Sequence, residues 1–137
     1  MGLAEEKIDG IHMVGIIHDI GKLSIPAEIL TKPTKLTSLE FSLIKEHSRS
    51  GYEMLKDVES PWPLAEIVYQ HHERMDGSGY PRNLKGDEML IEARILAVAD
   101  VVEAMASTTS ATAIIRASRR ISSPFSFLGY PDPFILS

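Results

Sequence analysis

Six residues in this chain have side chains able to bind a metal and spacings that separate helices could serve: His18, Asp19, His47, His71, His72 and Asp100. The intervals are 28 residues from Asp19 to His47, 24 from His47 to His71, and 28 from His72 to Asp100. Imidazole nitrogens and carboxylate oxygens bind divalent ions. With no cysteine anywhere in the chain, thiolate sites and disulfides are excluded. Such a donor set suits Mn, Fe or Zn, and bridging carboxylates suit paired ions. His47 alone, in "IKEHSRS", would read as a surface histidine. Asp100 carries more weight, because it interrupts "ILAVADVVEAM", where every other residue from Ile95 to Val102 suits a core. A carboxylate in such a place is costly unless a cation or hydrogen-bond donors meet it.

The elements that must position these residues read as helices throughout, since period-two alternation is nearly absent. Residues 4–20 set Ile8, Ile11, His12, Gly15 and Ile16 at helical intervals, with Gly21 suited to the helix end. Pro26 and Pro33 then interrupt the chain. "TSLEFSLIKEH" opens with Thr37 and has Glu40 three positions on, the pattern of a capping box, and predicts a helix running to about Lys56. "SPWPLAEIVYQHH" predicts another, with Ser60 as N-cap and Pro61 at the first helical position. A long apolar helix is expected over "LIEARILAVADVVEAMAS". Neighbouring residues on a helix point about 100° apart, so His71 and His72 cannot close around one ion alone. They can serve two ions, or two positions of one ion's shell.

Composition is that of a globular domain: 137 residues, 44% hydrophobic and 24% charged, with a formal net charge of −5. That balance argues against a nucleic-acid polymer as partner, because phosphate neutralisation needs clustered Lys and Arg. No apolar run approaches the length of a membrane span and no signal peptide is visible, so a cytoplasmic protein without membrane insertion is expected. The character changes near Thr108. Residues 1–107 carry 11 Lys and Arg against 18 Asp and Glu, whereas residues 108–137 carry three Arg against one Asp and are rich in Ser and Thr. Two parts are therefore expected: a helical domain over 1–107 and an irregular, disordered tail over 108–137.

"HDIGKLSIP" (18–26), "HHERMDGSGYP" (71–81) and "ILAVADVVEAM" (95–105) resemble the HD-GYP domain, a branch of the HD metal-dependent phosphohydrolases. The resemblance runs from about Ile11 to Ser107. It implies an all-α, HD-domain-like helical bundle and hydrolysis of the bacterial second messenger cyclic di-GMP to pGpG, and on to GMP in many members. It also implies two divalent ions, Mn or Fe, held by His18, Asp19, His47, His71, His72 and Asp100, with Asp19 as the bridge. Lys22 would contact a substrate phosphate as a point charge. Glu73 would orient an imidazole from behind. Asp76, Gly77, Gly79, Tyr80 and Pro81 would form the rigid loop at the pocket rim, with Asp76 stabilising the turn and both glycines free to take positive φ. His12 matches no ligand and reads as structural, and Trp62 reads as a core anchor.

Two departures from the family pattern shape the expectation further. The upstream helix that carries a Glu and a His four residues apart in trinuclear members has no counterpart before His18. After Ser107 comes "TTSATAIIRASRR" in place of the family's basic Arg-Pro-Tyr-Arg stretch. The sequence thus reads as a partial HD-GYP domain, truncated at both ends, with a frame shift or gene truncation as the source of the tail. This implies weak turnover of cyclic di-GMP. It also keeps three alternatives open: another cyclic dinucleotide as substrate, a purely ligand-binding module, and a module that contacts a GGDEF-domain partner through the "GYP" region.

Overall fold

The computed structural model describes residues 4–106, and the tail expected over 108–137 lies outside them. Six α-helices follow one another: α1 (Glu5–Ile17), α2 (Ala27–Leu30), α3 (Ser38–Lys45), α4 (His47–Leu55), α5 (Leu64–Gln70) and α6 (Ile91–Ala106). Two 3-10 turns, Ile20–Ser24 and Gly86–Glu88, lie between them. Among the described residues no β-strand forms, only an isolated bridge between Asp76 and Lys85. The all-α expectation holds.

The main core joins Val14 of α1, Leu55 of α4, Leu64, Ile67 and Val68 of α5, and Ala93 and Leu96 of α6. Ile17, Ile20 and Trp62 pack against its edge. A smaller cluster of Ile25 and Ile44 ties the segment around α2 to α3. The first and last helices run side by side in the same direction. Lys7 pairs with Glu92 at 2.9 Å near their starts, and His18 Nε2 lies 3.9 Å from Asp100 Oδ1 further along.

Local chemistry explains where the helices begin and end. Thr37 caps α3 through its hydroxyl, which accepts from Glu40 N, while Glu40 returns a carboxylate to Thr37 N at 2.7 Å. Lys32 Nζ adds bonds of 2.7 and 2.8 Å to the same carboxylate. The single helix expected from Ser38 to Lys56 is two. Glu46 keeps helical angles, but its N–H bonds to Leu43 O, three residues back, and that tightened turn separates α3 from α4. The third expected start also shifts. Pro63 bars Trp62 from helical angles, so α5 begins at Leu64 and not at Pro61. Ser60 Oγ instead accepts from Trp62 N at 3.1 Å, closing a turn.

The inward stripe of α1 is not the expected one. Gly10 and Val14 are buried and Ile17 packs on the core, whereas Ile8 and His12 are exposed and Ile16 is 82% exposed. Gly10 faces inward because it allows Trp62 to come close; a Cβ there would meet the indole ring at 2.8 Å. The tryptophan anchors the core edge, as its position suggested. His12 has no packing role.

Candidate metal centre

The His18–Asp19 pair sits where one kind of helix becomes another. His18 ends α1, and Asp19 has φ −93° and ψ 7° at the head of the 3-10 turn. Its angles fall in the sparsely populated bridge region, where many active-site residues are found. A 3-10 helix has three residues per turn, so a side chain three positions on stands directly over the first. Lys22 therefore reaches Asp19, with Nζ 2.5 Å from Oδ2. Gly21 does not end a helix, contrary to expectation. It is buried, and a Cβ on it would lie 1.9 Å from His47 O. Its hydrogen lets the 3-10 turn press onto α4, which brings Asp19 and His47 together.

His47 opens α4, and His71 and His72 follow the last turn of α5. His47 Nε2 lies 3.3 Å from His71 Nε2 and 3.2 Å from His72 Nε2. The adjacent pair is directed at one centre, the arrangement in which two rings take two positions around it, with His71 still at helical angles of φ −64° and ψ −16°. Their ring centroids are 4.0 Å apart, and both rings turn toward His47. Asp19 Oδ1 stands 3.7 Å from His47 Nε2, and Asp19 Oδ2 stands 3.5 Å from His18 Nε2. His18 in turn lies edge-on to His71 and within 3.9 Å of Asp100. All six residues singled out in the sequence meet in one place.

The hydrogen bonds behind the rings decide what the front nitrogens are. His18 Nδ1 lies 2.8 Å from Gly15 O, His47 Nδ1 2.6 Å from Ile44 O, and His71 Nδ1 2.5 Å from Val68 O. A carbonyl oxygen only accepts, so each Nδ1 carries a proton, and in the neutral rings of His47 and His71 the Nε2 then presents a lone pair. Lone pairs facing one another across 3.3 Å at His47 and His71 repel unless a cation lies between them. The nitrogens of His47, His71 and His72 fall within 4.8 Å of one another, a spacing that one metal ion can span.

Electrostatics favour the same assignment. Burial holds His47 below the usual imidazole range, takes His71 down to about 3 with the help of neighbouring His47, and pushes His72 well down. These rings stay neutral, the form that binds metal. Burial alone would raise the Asp19 carboxyl, yet the adjacent Lys22 ammonium and then His18 bring it below the ordinary carboxylate value. Burial raises the Tyr80 phenol, and the charges of Asp100 and Asp19 raise it further.

The loop after the histidines is held by Glu73, which is buried. Its role departs from expectation: Oε1 accepts from Arg82 N at 2.5 Å and Oε2 from Leu84 N at 2.9 Å, so it ties down backbone and touches no imidazole. Asp76 Oδ1 accepts from Ser78 N and Ser78 Oγ, which fastens the turn. Gly77 takes φ 80° as expected. Gly79 has no positive φ; it is needed because a Cβ would come within 2.5 Å of Arg74 N and Glu73 Cα. Tyr80 then lies against His72, with centroids 4.8 Å apart and planes tilted 30°. Pro81 follows across a cis peptide.

Sequence reasoning overlooked a polar chain that joins this loop to α6. Arg82 pairs with Glu66, Glu66 accepts from Gln70 Nε2 at 2.8 Å, and Gln70 Oε1 accepts from Leu90 N at 2.8 Å. It steadies the start of the helix that carries Asp100. The signal was present in Gln70 itself, a polar residue on the inner face of "LAEIVYQHH".

Among the described residues no helix is long and apolar enough to cross a membrane. Comparison with known proteins matches residues 1–122 to a family described as HD domain. The chain is 47% identical over 109 residues to a cyclic di-GMP phosphodiesterase response regulator, RpfG, of Xanthomonas campestris, covering 78% of this chain and 29% of the relative. It is equally similar, 47% over 109 residues, to a cyclic di-GMP phosphodiesterase of Thermotoga maritima, covering 78% and 30%. To 3'3'-cGAMP-specific phosphodiesterase 1 of Vibrio cholerae it is 43% identical over 105 residues, covering 77% and 24%. The chain thus spans less than a third of the length of each of these relatives. With the His-Asp pair, the paired histidines and the "GYP" loop all meeting at one centre, the chain belongs to the HD domain family, in its HD-GYP branch.

Proposed function

We propose that this chain is a metal-dependent phosphodiesterase that hydrolyses cyclic di-GMP to its linear dinucleotide pGpG, with further cleavage to GMP. The observation that carries the reading is the convergence of three Nε2 nitrogens from His47, His71 and His72 beside the carboxylates of Asp19 and Asp100. His47, His71 and His72 would hold one ion. Asp19, which has one oxygen toward His47 and the other toward His18, is suited to bridge to a second held with His18 and Asp100. Mn or Fe fits this oxygen and imidazole set. Ions held there would lower the pKa of a water toward 7 and neutralise charge developing on the phosphate.

The chain's own residues do the rest. The Nδ1 bonds to Gly15, Ile44 and Val68 lock three rings with Nε2 forward, which lowers the cost of orienting them. Lys22 brings a cation to the edge of the cluster, where it can turn from Asp19 to a phosphate oxygen of the substrate. Tyr80, stacked on His72, walls the centre on the side of the loop. The similarity to a relative named as 3'3'-cGAMP-specific favours that compound as a second substrate.

The test is direct. Mn-reconstituted protein is incubated with cyclic di-GMP and with 3'3'-cGAMP, and the linear products are separated by chromatography. Product from wild type and none from Asp19→Ala supports the reading. Full metal loading with no cleavage of either compound would rule it out.

A further inference from the structure

Lys45 ends α3, two residues before His47. Lys7, Lys22, Lys32 and Lys56 each meet a carboxylate, but among the described residues Lys45 does not. Its Nζ lies over two aromatic rings instead, 4.8 Å from the Phe41 centroid and 5.2 Å from the Tyr80 centroid. Tyr80 is the ring that stacks on His72. Two contacts in series therefore connect a half-buried ammonium to the metal centre, with one phenol ring between them. Aromatic faces attract a cation but leave its charge uncancelled, so the N–H donors of Lys45 stay open to an anion.

We propose that Lys45 binds the second, non-reacting phosphate of a cyclic dinucleotide. This rests on the phosphodiesterase reading and adds a specificity residue to it. Lys22 touches Asp19, so its charge serves the phosphate at the cluster. Lys45 is set back from the cluster by the Tyr80 ring, where a single-phosphate diester bound at the metals has no second phosphate to offer it. A cyclic dinucleotide carries two phosphates in one ring, and the second needs a cation of its own. The Phe41 and Tyr80 faces hold the lysine stem in place and limit the entropy lost on binding.

The experiment compares wild type, Lys45→Met and Lys45→Arg on cyclic di-GMP and on bis-p-nitrophenyl phosphate, which has one phosphate. Metal content and thermal melting check that each variant is folded and loaded. Loss of a charged hydrogen-bond partner predicts a KM for cyclic di-GMP raised roughly 10- to 100-fold in Lys45→Met. The change in KM should be at least several times smaller for the one-phosphate diester, and Lys45→Arg should restore most of the loss. Equal changes in KM for the two substrates, or no change for cyclic di-GMP, would overturn the role of Lys45 while leaving the phosphodiesterase reading intact. Absence of cyclic di-GMP cleavage by loaded wild type would overturn both.

Discussion

His47, His71 and His72 are buried and meet nitrogen to nitrogen, whereas His18, Asp19 and Asp100 stand at the rim, with Asp19 39% exposed. The two halves of the centre differ in what supports them. Behind the buried half lie the packed core residues Ile67 and Val68 of α5 and Ile44 of α3. The rim half is carried on a helix junction and on α6, with His18 Nε2 3.5 Å from Asp19 and 3.9 Å from Asp100. The difference separates two tasks. On the proposed reading, buried neutral imidazoles would make a preorganised seat for one ion, and the partly exposed carboxylates an adjustable site open to water and substrate.

Metal affinity tests this division most severely. His71→Ala removes a ring that has no substitute within reach, and metal affinity should fall by more than the roughly 10- to 100-fold that supporting residues cost. Asp100→Ala should cost clearly less, since water can replace a ligand at the open rim, and His12→Ala should cost nothing. Metal titrations on the three variants give the order. Equal losses from His71→Ala and Asp100→Ala would erase the distinction between the halves.

Acid should break the buried half first. An unfolded imidazole takes up its proton near pH 6.5, while His71 in the fold does so near pH 3, and His47 and His72 are shifted the same way. The unfolded chain therefore binds more protons across that window. Metal-free protein should keep its full stability above pH 6.5 and lose several kcal/mol as the pH falls toward 3. The Asp19 contribution, with its pKa lowered, should persist to below the ordinary carboxylate range. Urea melts at pH 7.5, 5.5 and 4.5 measure this. A flat profile would mean that the rings are hydrated and the seat is not preorganised.

The loop offers a smaller test. Gly79→Ala places a methyl against the backbone of Glu73 and Arg74, and overpacking of that kind typically costs about 1–3 kcal/mol. Because Glu73 directly follows His72, the strain should also loosen the buried seat and lower its metal affinity, as seen by titration. Destabilisation with metal affinity fully retained would show that the loop and the seat are independent.

How much of this could be read in the sequence varies with the kind of interaction. The six candidate residues were legible together, from their donor types, their spacing and the resemblance of their motifs, and Asp100 stood out most from its surroundings. The capping box at Thr37 and Glu40 was legible because it depends only on residues three apart. The inward face of α1 was not, because it is set by Trp62 pressing on Gly10 from fifty residues away, and apolar periodicity alone favoured Ile8 and Ile16. Gly21 and Gly79 were misread for the same reason. Each is required by backbone from another part of the fold, which no local turn rule can register. The convergence of His71 and His72 on His47 was not legible locally, because it depends on where the separate helix α4 places His47.

The smallest expected effect separates the flexibility of the rim from its exposure. Gly15 lies in α1 three residues before His18, and a Cβ on it would meet nothing within 4 Å. Its carbonyl, the acceptor for His18 Nδ1, remains in an alanine variant. Gly15→Ala should therefore stabilise the fold by about 0.5–1 kcal/mol, through the entropy that glycine loses in a helix. If the rim half is adjustable because its side chains reach solvent, stiffening the helix beneath His18 leaves metal affinity where it was. If its freedom comes from a fraying last turn of α1, the same substitution should tighten the second, weaker metal-binding step. A two-step metal titration of Gly15→Ala against wild type separates these outcomes, and a tighter second step would move the source of the rim's freedom from exposure to the helix end.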